Sequence, residues 1–361
     1  MGFLVPRHPA LFVLATLLLL GSGCSALSFV GLGSDSESGS DDIQGGQAGT
    51  DSLSAGENRL RTVTGVETMI RGEAAPRGIA LGRDAVFWTS SGDNTLRRLG
   101  FGEPAPRTLA SFRGSPFEVL VDFDTVYVHR VLTSACDAVI EKVPATGGDV
   151  RIVSTECDGF QRVAEDATSL LGTVTTETSN GTRSKIVVIP KDPGTLPTSL
   201  FEDRNVPGAI RSDGTLVYWV RENDRTIMKA PKTSDVGQVQ LFSPSSSKPM
   251  DLALDQDTVY WIGEGGEVLA LAKAAPVGTP ATVIATGEGS PTRLVESGGY
   301  LYWTATGTGL VRRARKPGRG GDPAPETIAR DLVQPYALAV AADAVWVTTR
   351  AGDVVRIGLA P

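Results

Sequence analysis

A phrase that recurs from residue 76 to the C-terminus constrains the fold more than any other feature of the sequence. One copy, Pro249 to Trp261, contains a proline, a short apolar run, a polar turn and an aromatic pair. In five copies the second residue of the pair lies 12 positions after the proline, and in the last copy it lies 11 positions after it. All five tryptophans occupy this position, which indicates a repeated structural unit. The copies begin at Pro76, Pro116, Gly159, Pro207, Pro249, Pro291 and Pro335.

The spacing of these copies, 40 to 48 residues, predicts an all-β fold, a β-propeller of seven blades. Each phrase is typical of two strands joined by a tight turn, because polar turn residues separate two apolar runs. Further apolar segments follow each phrase and complete blades of four strands. The copy at Gly159 lacks the proline and the aromatic pair, so six blades are the alternative if residues 159–206 are an insertion.

The last copy predicts how the ring closes. It has only three strand-like segments before the chain ends at Pro361. The segment Glu67–Pro76 aligns with Glu326–Pro335, which precedes the last copy and supplies a fourth strand. We therefore expect residues around 66–71 to form the outer edge of the last blade and to join the two chain ends.

The phrase at Pro249 resembles the YWTD repeats of low-density-lipoprotein-type receptors, and also the NHL and SMP-30-like propellers. The resemblance covers roughly residues 66–361 and implies the fold alone. Thr304 is followed by Ala305 and Thr89 by Ser90, and no copy contains the aspartate of the YWTD motif. Rings of that family usually have six blades, and its receptor-binding role is not implied here.

Residues 1–24 have the pattern of an export signal. Arg7 precedes an apolar run from Ala10 to Leu20, which is too short for a membrane span of about 20 residues. The end of this run resembles a bacterial lipobox, which implies that Cys24 is lipidated and becomes the mature N-terminus. By the same resemblance, Ser25 favours sorting to the outer membrane. We expect an outer-membrane lipoprotein that faces the periplasm or the cell surface; the alternative is a secreted or soluble periplasmic protein.

Residues 25–57 predict a disordered tether between the signal and the propeller of residues 58–361. This segment is rich in Ser, Gly and Asp, and its six acidic residues have no Lys or Arg among them. The formal charge of the chain is −7, of which the tether carries −6 and Arg7 of the signal +1, so the propeller carries −2. A propeller so close to neutral has no basic surface of the kind that binds nucleic acid.

The remaining cysteines and histidines limit the chemistry. Cys136 and Cys157 fall near the same rim of blade 2, and an exported protein favours a disulfide between them, worth about 3 kcal/mol. After the signal, His129 is the only histidine, and we interpret it as a strand residue without a catalytic role. No metal-ligand spacing and no cofactor motif is present, so no metal or cofactor is predicted.

The channel mouth is the predicted ligand site, because the residue two places after each proline lies near the entrance of an innermost strand. Four of these seven positions carry polar or charged side chains, and Arg77 and Tyr336 lie one place earlier in their copies. The candidate ligand-binding residues are Glu118, Gln161, Asp251 and Arg293.

These observations predict a non-catalytic binding or scaffold module of the cell envelope. It would be a monomer, held to the membrane by its lipid, with a protein partner or a small ligand at the channel mouth. The alternative is a propeller hydrolase, lactonase or lyase with a carboxylate-bound metal in the channel. Fold alone does not choose between these functions.

Overall fold

The structure is a computed structural model, and it shows an all-β protein. In the part of the chain that it describes, no helix is long and apolar enough to cross a membrane. Cys24, Cys136 and Cys157 lie outside the described residues, as do the predicted signal and tether, so lipidation and the disulfide remain predictions. The described residues are 62–131, 138–156, 159–179, 181–192, 195–203, 205–233, 238–318 and 324–360.

The described strands form seven antiparallel sheets of four strands each, which are the blades of a propeller. In chain order the strands of blades 1 to 3 are β2 (Pro76–Leu81), β3 (Ala85–Ser90), β4 (Thr95–Gly100), β5 (Arg107–Ser111), β6 (Ser115–Asp122), β7 (Thr125–Val131), β8 (Ala138–Pro144), β9 (Arg151–Glu156), β10 (Phe160–Glu165), β11 (Ser169–Thr178), β12 (Gly181–Pro190) and β13 (Thr198–Asp203). Those of blades 4 to 6 are β14 (Pro207–Ser212), β15 (Leu216–Arg221), β16 (Thr226–Pro231), β17 (Gln240–Pro244), β18 (Pro249–Leu254), β19 (Thr258–Gly263), β20 (Val268–Ala272), β21 (Thr282–Ala285), β22 (Pro291–Ser297), β23 (Tyr300–Ala305), β24 (Leu310–Arg315) and β25 (Glu326–Ala329).

Blade 7 closes the ring with both ends of the propeller. Its strands are β26 (Pro335–Val340), β27 (Ala344–Thr349), β28 (Val354–Ala360) and the N-terminal strand β1 (Thr62–Ile70), in the order β1-β28-β27-β26. Strand β1 pairs antiparallel with β28 from Thr62 opposite Ala360 to Ile70 opposite Val354. The predicted closure is therefore confirmed, with a strand that begins earlier than expected.

Blade 3 is complete, which confirms seven blades and excludes the six-bladed alternative. Its length comes from β11 and β12, which have ten residues each. In blade 5 the first residue of the copy, Pro249, pairs with Gly263. The equivalent pair of blade 3 is Phe160 with Val174, so this copy begins at Phe160 and not at Gly159. The position two places further on is consequently Arg162 rather than Gln161.

The aromatic pairs form the packing between blades. Four tryptophans are fully buried and Trp346 is almost so. Trp303 of blade 6 packs in one cluster with Tyr260 of blade 5. The indole N–H of Trp303 donates to Glu288 at 2.9 Å, so the ring is buried without loss of a hydrogen bond.

An ion pair between aspartate and lysine recurs at four consecutive blade interfaces, on the face opposite the entrances of the innermost strands. The aspartate lies at the end of the innermost strand of one blade, and the lysine follows the third strand of the next blade. The pairs are Asp122–Lys191 (2.8 Å), Asp166–Lys232 (2.7 Å), Asp213–Lys273 (2.9 Å) and Asp255–Lys316 (2.6 Å). These pairs hold blades 2 to 6 together.

The pair of Asp166 predicts a loss of stability in acid. Burial by itself would raise the pKa of Asp166, but hydrogen bonds from Lys232, Ser212 and the Thr168 amide outweigh it and lower this pKa to about 2. Because the pKa is lower in the folded than in the unfolded chain, the ion pair stabilises above about pH 4, and this contribution disappears as the pH falls to about 2.

We expect Asp166→Asn to lower the free energy of unfolding by about 1–2 kcal/mol at pH 7, with a difference from wild type that vanishes near pH 2. Denaturant unfolding of the full chain between pH 7 and pH 2 measures it. Asp257→Asn, in an exposed turn, is the matched control. Parallel pH profiles for wild type and Asp166→Asn would contradict the prediction.

Candidate functional site

The seven innermost strands surround an axial cavity of about 400 Å³. Three of the four predicted site residues, Glu118, Asp251 and Arg293, occupy equivalent positions of blades 2, 5 and 6 and line this cavity together with Arg211. Gln161 is exposed and lines a neighbouring cavity instead. The structure thus brings three of the predicted residues together, and the register places Arg162 where the sequence suggested Gln161.

Each of the three carboxylates that line the cavity has a cationic partner within the fold. Glu165 accepts a hydrogen bond from Lys191 at 3.0 Å. Glu118 accepts hydrogen bonds from Arg162 (3.0 Å), from Arg293 (3.2 Å) and from the Val163 amide (2.7 Å).

Asp251, which is only 1% exposed, accepts from Arg211 at 3.0 Å and from the Leu294 amide at 3.0 Å. In each case the amide belongs to the next blade. Glu118 and Asp251 therefore tie neighbouring innermost strands together.

A threonine makes the equivalent tie at four other interfaces. In each, the threonine hydroxyl accepts from an amide of its own innermost strand and donates to a carbonyl of the next one. The four threonines are Thr89, Thr173, Thr304 and Thr348. Blades 2 and 5 have His129 and Ile262 at this place, opposite Glu118 and Asp251 in the strand pairing. In these two blades an acid makes the tie in place of the threonine, whereas blade 4 has Val220 and Ala209 at the two positions. Sequence reasoning did not detect this pattern.

Arginines gather around one tyrosine at the entrance of the innermost strands. The guanidinium carbons of Arg77, Arg293 and Arg350 lie 5.5, 5.6 and 5.1 Å from the ring centre of Tyr336. Arg162 is connected to this group because it shares Glu118 with Arg293. We call these four arginines with Tyr336 the arginine mouth. Glu118 pairs with two of its four positive charges.

Two arginines of the mouth are available for a ligand. Neither Arg77 nor Arg350 forms an ion pair with any residue in the described ranges, and Arg350 is exposed. Guanidinium groups bind carboxylate and phosphate oxygens with two parallel hydrogen bonds, and they stack on aromatic rings. The arginine mouth thus has the chemistry of an anion-binding site.

Among the described residues, no group of three or more His, Cys, Asp or Glu side chains could hold a metal ion. Three carboxylates line the axial cavity: Glu118 and Asp251 bind arginine, and Glu165 binds Lys191 at 3.0 Å. The residues that the structure describes therefore do not fit the carboxylate-bound metal of the alternative hypothesis.

Comparison with known proteins supports the fold. No protein-family model and no curated protein matches the chain. A solved streptogramin B lyase shares 12% identity over 81% of this chain and 97% of its own, with a TM-score of 0.63. A catalytically inactive His-to-Ala variant of virginiamycin B lyase from Staphylococcus aureus, solved with quinupristin, shares 13% identity over 81% and 98%, also with a TM-score of 0.63.

This chain is a seven-bladed β-propeller. The computationally designed Ika8 protein has the same kind of likeness, with 13% identity over 81% of this chain and 98% of its own and a TM-score of 0.58. Because an enzyme and a designed protein match about equally well at such low identity, the likeness shows the fold and leaves the function to the site.

Proposed function

We propose that this protein is an exported, lipid-anchored propeller of the bacterial cell envelope that acts as a non-catalytic binding module. Its ligand carries a carboxylate or phosphate group, which the arginine mouth recognises. The lipid on Cys24 and the tether of residues 25–57 hold the propeller at the membrane surface. The arginine mouth is the observation that supports the binding of an anionic ligand.

The electrostatics of the mouth support an anionic ligand. Residues 58–361 carry a net charge of only −2, so the local excess of arginine is not a property of the whole surface. Arg77 and Arg350 face the same ring from two blades and repel one another, and an anion between them would relieve this repulsion. Charge-assisted hydrogen bonds to a bound anion typically contribute about 1.5–3 kcal/mol each.

A binding role is better supported than a catalytic one. Glu118 and Asp251 are held by arginine and by backbone amides, which leaves neither free to act as a general base. His129 is 3% exposed and its pKa is lowered by burial, which outweighs the opposing effect of Glu118. Glu165 also lines the axial cavity, and burial raises its pKa, but it is paired with Lys191 at 3.0 Å. The arginine mouth itself offers hydrogen-bond donors for an anion.

We expect the Arg77→Ala/Arg350→Ala double variant to bind inorganic phosphate and citrate at least about 10-fold more weakly than wild type, because it loses two charge-assisted contacts. Calorimetric titration of the full chain, in mild detergent and at low salt, measures this difference. Neither arginine has an ion-pair partner to lose among the described residues, although Arg77 loses a hydrogen bond to Ser91 at 3.4 Å and its contact with the ring of Phe117.

Arg330→Ala is the matched control, since Arg330 is exposed, follows the outermost strand of blade 6 and lines neither cavity. Its affinity should equal that of wild type. Failure of the wild-type chain to bind either anion, or equal binding by the double variant, would contradict the proposed function.

A further inference from the structure

A second cavity, of about 190 Å³, lies beside the arginine mouth. Its wall shares Glu118 and Arg293 with the axial cavity, so the two spaces are neighbours. Four aromatic side chains line it, and one of them is Tyr336 of the arginine mouth. The ring of His129 lies 6.3 Å from Phe117 at a tilt of 32° and 5.9 Å from Phe160 at an edge-on angle of 78°. We call Phe117, His129 and Phe160 the aromatic pocket.

His129 lacks the hydrogen bonds that a buried histidine normally makes. The residue is 3% exposed, and neither ring nitrogen has a hydrogen-bond partner of good geometry among the described residues, although the Phe160 backbone lies nearby. Leaving a buried polar atom unpaired costs about 1–3 kcal/mol. Because burial lowers its pKa, the imidazole is neutral, with one donor and one acceptor nitrogen.

The size and the walls of the cavity fit a planar ring. A cavity of roughly 150 Å³ with apolar walls is known to hold benzene, and the aromatic pocket is larger. Aromatic rings prefer tilted and edge-on arrangements, of the kind that Phe117 and Phe160 make with His129. Tyr336 lines the same cavity, so a charged group on that ring would lie next to the arginine mouth.

We propose that the aromatic pocket is the ring subsite of the ligand, and that the ligand is an aromatic or heteroaromatic carboxylate. The ring packs beside Phe117 and Phe160, a polar ring atom bonds to His129, and the carboxylate extends past Tyr336 to Arg77 and Arg350 of the arginine mouth. This inference rests on the proposed function and narrows its ligand class. The unpaired imidazole carries it, because a ligand atom there satisfies a group that the described part of the fold leaves unsatisfied.

The test compares three probes on the full chain by calorimetric titration: acetate, benzoate and pyridine-3-carboxylate. All three carry one carboxylate, two carry a ring, and only the last adds a ring nitrogen. We expect benzoate to bind at least about 10-fold more tightly than acetate, and pyridine-3-carboxylate more tightly still. His129→Phe keeps an aromatic wall and should keep the preference for benzoate, while the further gain from the ring nitrogen is lost.

The ¹⁵N resonances of His129 give a readout that needs no variant. Because His129 is the only histidine after residue 8, selective labelling reports its imidazole directly. Saturation with pyridine-3-carboxylate should shift at least one ring nitrogen, as expected when it gains a hydrogen bond. Arg77→Ala/Arg350→Ala should weaken all three probes by a similar factor.

The outcomes separate the two proposals. Equal affinity for acetate and benzoate, or unchanged His129 resonances at saturation, would overturn the ring subsite and leave the anion-binding mouth standing. Binding of none of the three probes would overturn the proposed function itself.

Discussion

We expect Asp251→Ala to lower the free energy of unfolding by about 3 kcal/mol. The carboxylate is 1% exposed and accepts hydrogen bonds from Arg211 and from the Leu294 amide of the next blade. Its removal leaves a buried amide and an arginine without their partner, and each such loss typically costs about 1–3 kcal/mol. Denaturant unfolding of the full chain measures the effect, and Asp257→Ala in an exposed turn is the control.

A compensating substitution sharpens this prediction. Ile262 pairs with Asp251 in the sheet. The equivalent residues of blade 7 are Thr348 and Ala337, and the Ala337 amide donates to the Thr348 hydroxyl. The double variant Asp251→Ala/Ile262→Thr copies that arrangement, and we expect a favourable coupling of at least about 1 kcal/mol between the two changes. Additive effects, or an Asp251→Ala variant as stable as wild type, would contradict the role of Asp251 as a tie between blades.

Deletion of residues 62–70 from the full chain removes β1 and is expected to have the largest effect of all. Seven residue pairs join β1 to β28, and at about 0.7 kcal/mol for each pair their loss amounts to about 5 kcal/mol. The deletion also leaves β28 as an unpaired edge, which promotes aggregation. Thermal unfolding and light scattering measure the two consequences.

Deletion of nine residues from the tether, 41–49, is the matched control and should leave both stability and solubility unchanged. A synthetic peptide of residues 60–72 should restore stability to the shortened chain, because a free strand can pair with an open sheet edge. A scrambled peptide should not. A shortened chain as stable and as soluble as wild type would show that β1 does not close the ring.

Most of the fold could be predicted because the same sequence pattern, two apolar strands joined by a polar turn, recurs seven times. The aromatic pair locates the second strand of each blade, and the polar turn before it marks the end of the first strand. The copy around Leu171 has no aromatic pair, but the regular spacing of the other copies located it. Its starting point could not be located, because Phe160 replaces the proline that marks the other copies. That error of one residue led the sequence prediction to Gln161 instead of Arg162.

The site could be predicted only in part because its residues come from distant parts of the chain. Arg77 belongs to blade 1, whereas Tyr336 and Arg350 belong to blade 7, and closure of the ring makes these blades neighbours. No local pattern links them. The role of Asp251 depended on the residue opposite it, and a comparison of the threonine positions between copies could have shown it. The lysines at 191, 232, 273 and 316, one in each of four blades, were a second signal of this kind.

Protection of arginines by a bound anion is the measurement that bears most closely on the proposed binding mode. Phenylglyoxal modifies accessible guanidinium groups, and mass spectrometry reports the rate at each residue of the full chain. We expect citrate to slow the modification of Arg77 and Arg350 and to leave that of Arg330 unchanged. Equal rates at Arg77 and Arg350 with and without citrate would contradict an anion-binding mouth.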